Sequence, residues 1–185
     1  MEDVVKALER LREAERLRIL GLLYVVWIPF VASAGYLMLF ISGPWYVIPA
    51  LALLGLIPYA WLARKLSIEE DRDRKGFVLG ILMAFVMEYA LSFVSFTLAT
   101  AGAIAGWLIA VSYYVKKNKI PTWYLDAIAG LAIIALTALA SGLSPMKQWM
   151  ALILSIVIVY SAVAAIRATF GVYEVLPFVR EGGKR

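Results

Sequence analysis

Residues 77–98 read FVLGILMAFVMEYALSFVSFTL, a nearly unbroken apolar run with one acid, Glu88, at its middle. As a helix rising about 1.5 Å per residue, the run is roughly 33 Å long, one hydrocarbon core. Glu88 then lies near the bilayer midplane. A charge at that depth is costly, which makes an intramembrane acid a functional candidate by default. Ala84, Ser92 and Ser95 lie at helical spacing from it and form a small, weakly polar stripe. The acid has two readings. It is a proton- or cation-binding group on a pathway, with Ser92 and Ser95 beside it, or a neutral carboxyl that hydrogen-bonds a neighbouring helix and holds the bundle together.

Downstream of Glu88 the next charged residue is Lys116. Drawn as one helix, residues 77–115 would run roughly 58 Å, about twice the hydrocarbon thickness. The chain must therefore turn back. The small residues of TLATAG, 97–102, are the expected turn, which leaves a short fourth span over 101–115. Gly102 and Gly106 in that span carry a GxxxG spacing that lets helix backbones approach closely. Packing inside the subunit is the expected use of this spacing, and a dimer seam is the alternative.

Upstream, RKLSIEEDRDRKG, 64–76, is the most polar stretch and an aqueous loop. Residues 45–63 form the second span, with Pro49, Gly55 and Pro58 inside it. Trp45 and Tyr46 at one end, and Tyr59 and Trp61 at the other, suit the two interfaces. Ser42-Gly43-Pro44 is a tight turn, and 19–41 is the first span, interrupted by Pro29. Pro29 and Pro58 share the depth of Glu88, and helices broken at mid-depth beside an ionisable group are a transporter layout. Residues 1–18, MEDVVKALERLREAERLR, place Val4, Leu8, Leu11, Ala14 and Leu17 at spacings of three and four. Glu2 and Lys6 make an i,i+4 pair on the polar side. The segment is too long and too acidic for a cleavable signal. It is expected as an amphipathic cytoplasmic helix on the headgroups, or as a docking helix for another subunit.

Toward the C-terminus, KKNKIPT (116–122) is a basic turn, 123–140 the fifth span, SGLSPMKQ (141–148) a turn and 149–170 the sixth span. Residues 171–185 form an interfacial basic tail. Asp126, one turn into the fifth span, and Arg167, near the end of the sixth, reach similar depth on antiparallel helices. An ion pair between them is expected, with Asp126 also favoured by the positive helix N-terminus. The fold class is thus all-α: a polytopic membrane protein of six transmembrane helices in three consecutive hairpins, preceded by the amphipathic helix.

Charge sets the orientation. Of the 18 Lys and Arg residues, only Lys147 falls on the side of the short turns 42–44, 97–102 and 141–148. The positive-inside rule places both termini in the cytoplasm, against the anionic inner leaflet of the cell membrane. The net charge of +5 is concentrated there, which fits lipid rather than nucleic acid.

Composition narrows the chemistry. The chain is 63% hydrophobic, where soluble domains are nearer 45–50%. It has no cysteine and no histidine, which removes thiolate nucleophiles, imidazole ligands and Ser-His-Asp relays. No phosphate loop or nucleophile elbow is present. No enzyme activity, cofactor or metal site is expected. The functional expectation is a small transport or channel-type subunit with an intramembrane carboxyl on its pathway, working with a second copy or a partner membrane subunit. The alternative is a non-catalytic scaffold that anchors a partner through residues 1–18 and the 64–76 loop.

Overall fold

The computed structural model describes residues 2–37, 54–62, 64, 74–117, 120 and 122–182. The turn 42–44, the first part of the 45–63 span and most of the 64–76 loop lie outside the described residues. Those described form helices and turns, with no strand among them. The helices are α1 (Glu2–Tyr36), α2 (54–62), α3 (Arg74–Ser92), α4 (Phe96–Lys117), α5 (Tyr124–Ala138) and α6 (Pro145–Gly182). Three segments are long and apolar enough to cross a membrane: Ala7–Tyr36, Phe96–Lys117 and Pro145–Val172. Val78–Ser92 and Tyr124–Ala138 are apolar but shorter.

α1 does not break between the charged segment 1–18 and the apolar run after it; one helix of 35 residues carries both and passes through Pro29. α6 likewise continues for 38 residues, so the segment after Phe170 extends the helix as far as Gly182. The two long helices pack antiparallel. Small residues set their spacing. A Cβ on Gly21 would lie 3.4 Å from the Ala164 carbonyl, one on Gly171 3.4 Å from that of Ala14, and one on Gly35 2.7 Å from Ile153 Cδ1. With lipid as solvent, such close van der Waals packing holds helices together better than bulk hydrophobicity.

α4 is the central helix, packed on α3, α5 and α6. Its small residues Ala99, Ala101, Gly102, Ala105 and Gly106 are all buried. The turn into it lies upstream of the expected 97–102, at 93–95. No glycine makes this turn; Ser95 does. Its Oγ accepts the Leu98 N–H at 3.1 Å, and the Val94 N–H closes onto the Leu91 carbonyl at 3.1 Å. A serine N-cap satisfies a helix-start donor as well as a loop would. The small residues serve helix contact instead: Gly102 meets the Met87 carbonyl and Gly106 that of Met83, both on α3. Ser95→Ala is therefore expected to lower stability by about 1 kcal/mol, measured as the midpoint of denaturant unfolding in detergent. No shift in the midpoint would mean that the cap is dispensable.

α5 turns its Asp126, Ala129, Gly130, Ile133 and Thr137 inward and meets α4 where a Cβ on Gly130 would lie 3.0 Å from the Ala105 carbonyl. The α5–α6 turn is pinned by Gln148, whose Nε2 donates to the carbonyls of Ser141 and Leu143, both at 2.9 Å. Pro145 opens α6 at a first-turn position, where its missing N–H costs nothing. The outward faces carry exposed apolar side chains such as Val78, Phe85, Ile128, Leu131, Leu154 and Ile158. That is the surface expected of a bundle solvated by lipid.

Candidate functional site

The first turn of α5, the middle of α1 and the C-terminal half of the apolar part of α6 meet at one buried polar cluster. Asp126 and Arg167 are both fully buried. Arg167 Nη2 donates to Asp126 Oδ2 at 2.6 Å. The Tyr24 hydroxyl donates to the other carboxylate oxygen, Oδ1. Arg167 Nε reaches the Thr122 hydroxyl at 3.5 Å, a long and weak contact. The guanidinium also lies over the Tyr24 ring, 5.3 Å from its centroid, within cation–π range. Tyr24 in turn packs edge-on against Tyr160, with centroids 4.8 Å apart.

Each member is where it is for a local reason. Asp126 sits in the first turn of α5, where free N–H groups and the helix dipole favour an anion. Thr122 lies in the turn before α5, and its carbonyl accepts the Leu125 N–H at 3.1 Å. Tyr24 continues the stripe Ala14, Leu17 and Leu20 that α1 buries, where Leu17 and Leu20 cluster with Val115 and Ile120. Gly21 lies beside Arg167, where its missing side chain leaves room for the base of the arginine. A lone charge in this apolar setting would be very unfavourable, and the pair with its satellite hydroxyls offsets much of that cost.

The cluster has almost no exposed surface of its own, but a cavity lies beside it. Arg167 forms part of the wall of a cavity of about 460 Å³ bounded by α1, α2, α4 and α6. The remaining wall is mostly apolar and aromatic, including Trp27, Tyr59, Trp107 and Tyr160. Trp107 is hydrogen-bonded to the Tyr59 hydroxyl. Arg167 Nη1 is buried and has no hydrogen-bond partner among the described residues. Among the described residues, Thr137 Oγ1 is the other buried side-chain polar atom in that condition.

The remaining sequence candidates fall elsewhere. Glu88 is half-buried on α3 and is not part of the cavity wall. The Ser92 hydroxyl donates back to the Tyr89 carbonyl at 2.7 Å, and Ser95 caps α4, so both serines have local backbone partners. Gly102 and Gly106 lie at the α3–α4 contact, away from the cluster. No group of three acids that could hold a metal ion occurs among the described residues.

Sequence reasoning paired Asp126 with Arg167 but missed Tyr24, Thr122, Tyr160 and the cavity. One signal was available. The spacing 14–17–20–24 runs unbroken through the 18/19 boundary, so a single helical face that starts with Ala14 and Leu17 ends at a tyrosine. Comparison with protein-family models, curated protein sequences and solved structures returns no match for this chain.

Proposed function

We propose that the protein is a small integral membrane subunit of transport or channel type, with its intramembrane site in the cavity beside Asp126 and Arg167. The observation that carries this reading is a mostly apolar cavity of about 460 Å³ directly beside the buried Asp126–Arg167 pair. An ion pair retained only to hold helices together has no need of adjoining space, and an apolar pocket with a few convergent polar groups is the usual form of a binding site. Asp126 is then the pathway carboxyl of first choice, and Glu88 on α3 the second.

In the same reading the chain crosses the cell membrane six times as three hairpins, with both termini cytoplasmic. α1 with α2, α3 with α4, and α5 with α6 supply the crossings. The apolar parts of α3 and α5 have 15 residues each, about 22 Å, so the bilayer thins locally around them. A second copy or partner membrane subunit covers the outward face of α3 and the turn after it, where Phe85, Tyr89 and Phe93 are exposed.

The absence of cysteine makes the test clean. Single cysteines are introduced at Ala103 in the cavity wall, at Ile128 on the outward face of α5, at Ser67 in the 64–76 loop and at Lys119 in the 116–122 loop. Each is treated with a membrane-impermeant thiol reagent in right-side-out and inverted vesicles. Ala103→Cys is expected to react from one side and Ile128→Cys from neither. The two loop cysteines are expected to react only from the cytoplasmic side. An Ala103→Cys that stays unlabelled from both sides removes the aqueous pathway. Loop cysteines on opposite faces remove the α3–α4 hairpin crossing.

One observation favours the scaffold reading. Leu8 and Leu11 on α1 are both exposed, so this part of the apolar stripe of residues 1–18 is left for another surface before Ala14 and Leu17 become buried. Deleting residues 2–16 is expected, on that reading, to release a co-purifying partner.

A further inference from the structure

We infer that the cavity takes one acyl chain of a membrane glycerolipid, laid lengthwise between α1 and α4. This rests on the cavity being the working site, as proposed above, and names the class of molecule that occupies it.

Shape comes first. The wall takes Leu20, Trp27 and Val31 from α1 and Ala103, Trp107 and Val111 from α4. At about 1.5 Å per residue these stretches run roughly 16 Å and 12 Å along their helices. α1 packs on α6, and α4 on α3 and α5, while the backbones of α1 and α4 do not pack closely on each other. The space between them is therefore a slot that follows the helix axes, the direction in which acyl chains lie in a bilayer. One end is closed, because Leu17 and Leu20 meet Val115 and Ile120 in a buried cluster. The side toward α2 reaches the lipid-facing surface, since Leu56 in the wall is itself 46% exposed. Chemistry comes second. Arg167 and Asp126 have no accessible surface and neutralise each other at 2.6 Å, so the slot offers an occupant no charge. A mostly apolar wall also suits water poorly, since an ordered water needs about two to four hydrogen bonds. A hydrocarbon chain gives up only its contacts with other chains and gains those of the wall. The bilayer supplies such chains in excess at the opening, and the volume of about 460 Å³ lies in the range of pockets for small organic ligands.

The experiment reads the tryptophan fluorescence of the full chain in lipid-free detergent, titrated with phosphatidylcholine that carries a 9,10-dibromostearoyl chain, a contact quencher. Trp27 and Trp107 line the slot. A saturable loss of fluorescence is expected on top of the linear loss caused by lipid elsewhere in the micelle. Replacing Trp27 and Trp107 together by phenylalanine leaves the other four tryptophans and should remove the saturable part. Ala103→Phe fills the slot and should remove it as well. Unlabelled phosphatidylcholine should reverse the saturable loss. Cholesterol and a polyprenol should compete about tenfold or more weakly, the overpacking cost of a rigid ring system or a methyl-branched chain in a slot that fits a plain one. Purely linear quenching of the unaltered protein overturns the inference. So does a saturable loss that survives removal of both tryptophans, or competition by cholesterol or polyprenol equal to that of phosphatidylcholine. In vesicles the chain exchanges with the bilayer, so it slows the labelling of Ala103→Cys without preventing it. That cysteine labelled from one side, together with purely linear quenching, leaves the transport reading standing and removes only the acyl chain. The cysteine labelled from neither side, together with saturable quenching, removes the aqueous pathway and leaves the chain in its slot.

Discussion

Replacing Arg167 alone by methionine is expected to destabilise the protein by about 3–5 kcal/mol, the cost of leaving a buried charge without its partner. Asp126 is fully buried and has the Arg167 Nη2 donor at 2.6 Å as its charged partner. With the guanidinium gone, only the Tyr24 hydroxyl remains to it among the side chains described here. The triple replacement Tyr24→Phe, Asp126→Leu, Arg167→Met removes the ion pair and the tyrosine hydroxyl, leaves the Thr122 hydroxyl, and keeps the volumes similar. It is expected to recover most of the loss, to within about 1–2 kcal/mol of the natural sequence, because apolar groups of like size replace buried ion pairs at little cost. Unfolding midpoints in detergent for the natural protein, the single variant and the triple variant check both statements. A single variant as stable as the natural protein would show that the pair contributes nothing to holding α1, α5 and α6 together. A triple variant as unstable as the single one would show that the geometry, rather than the charge, had been lost.

Gly106→Ala is expected to have the second-largest effect, a loss of about 2–3 kcal/mol or more from overpacking. The added Cβ would overlap the Met83 carbonyl oxygen and lie 2.6 Å from its carbon and 2.8 Å from the Ala84 nitrogen. All three are backbone atoms, so no rotamer change relieves the contact and α3 itself must move off α4. Gly102→Ala should cost less than Gly106→Ala, since one of its close neighbours, Leu91 Cδ1 at 2.7 Å, is the end of a flexible side chain. Gly142→Ala is the control. Nothing lies within 4 Å of its added Cβ, and its effect should stay within about 0.5 kcal/mol. The same unfolding measurement ranks the three. An unchanged Gly106→Ala would mean that α3 and α4 are not in contact at this depth.

These two glycines also show where sequence reasoning reached and where it stopped. A GxxxG spacing announces that a backbone comes close, because only a missing Cβ permits it. It does not say whose backbone. Here it is α3 of the same chain, a choice made by the turn at 93–95. That turn was itself misjudged, because Thr97–Leu98–Ala99 and the small residues after them resemble loop sequence as much as helix-contact sequence. Ser95, a single capping side chain, carried the information. Glu88 drew attention because depth alone makes an acid unusual. Burial and partners belong to Asp126, whose position one turn into α5 looked ordinary.

Composition and local pattern were sufficient for the gross character of the molecule. A chain 63% hydrophobic with polar breaks between apolar runs folds as helices in lipid, since each run must satisfy its backbone hydrogen bonds within itself. The pairing of one acid with one base followed from helix lengths and antiparallel order. The tertiary structure alone decided the rest. Tyr24 and Asp126 are 102 residues apart, and Asp126 and Arg167 are 41 apart. Three helices must dock before the tyrosine, the carboxylate and the guanidinium form one cluster. The cavity is more distant still from any local pattern: it is the space left where α1 follows α6 while α4 follows α3 and α5. Such a space belongs to no segment, and no reading of neighbouring residues along the chain contains it.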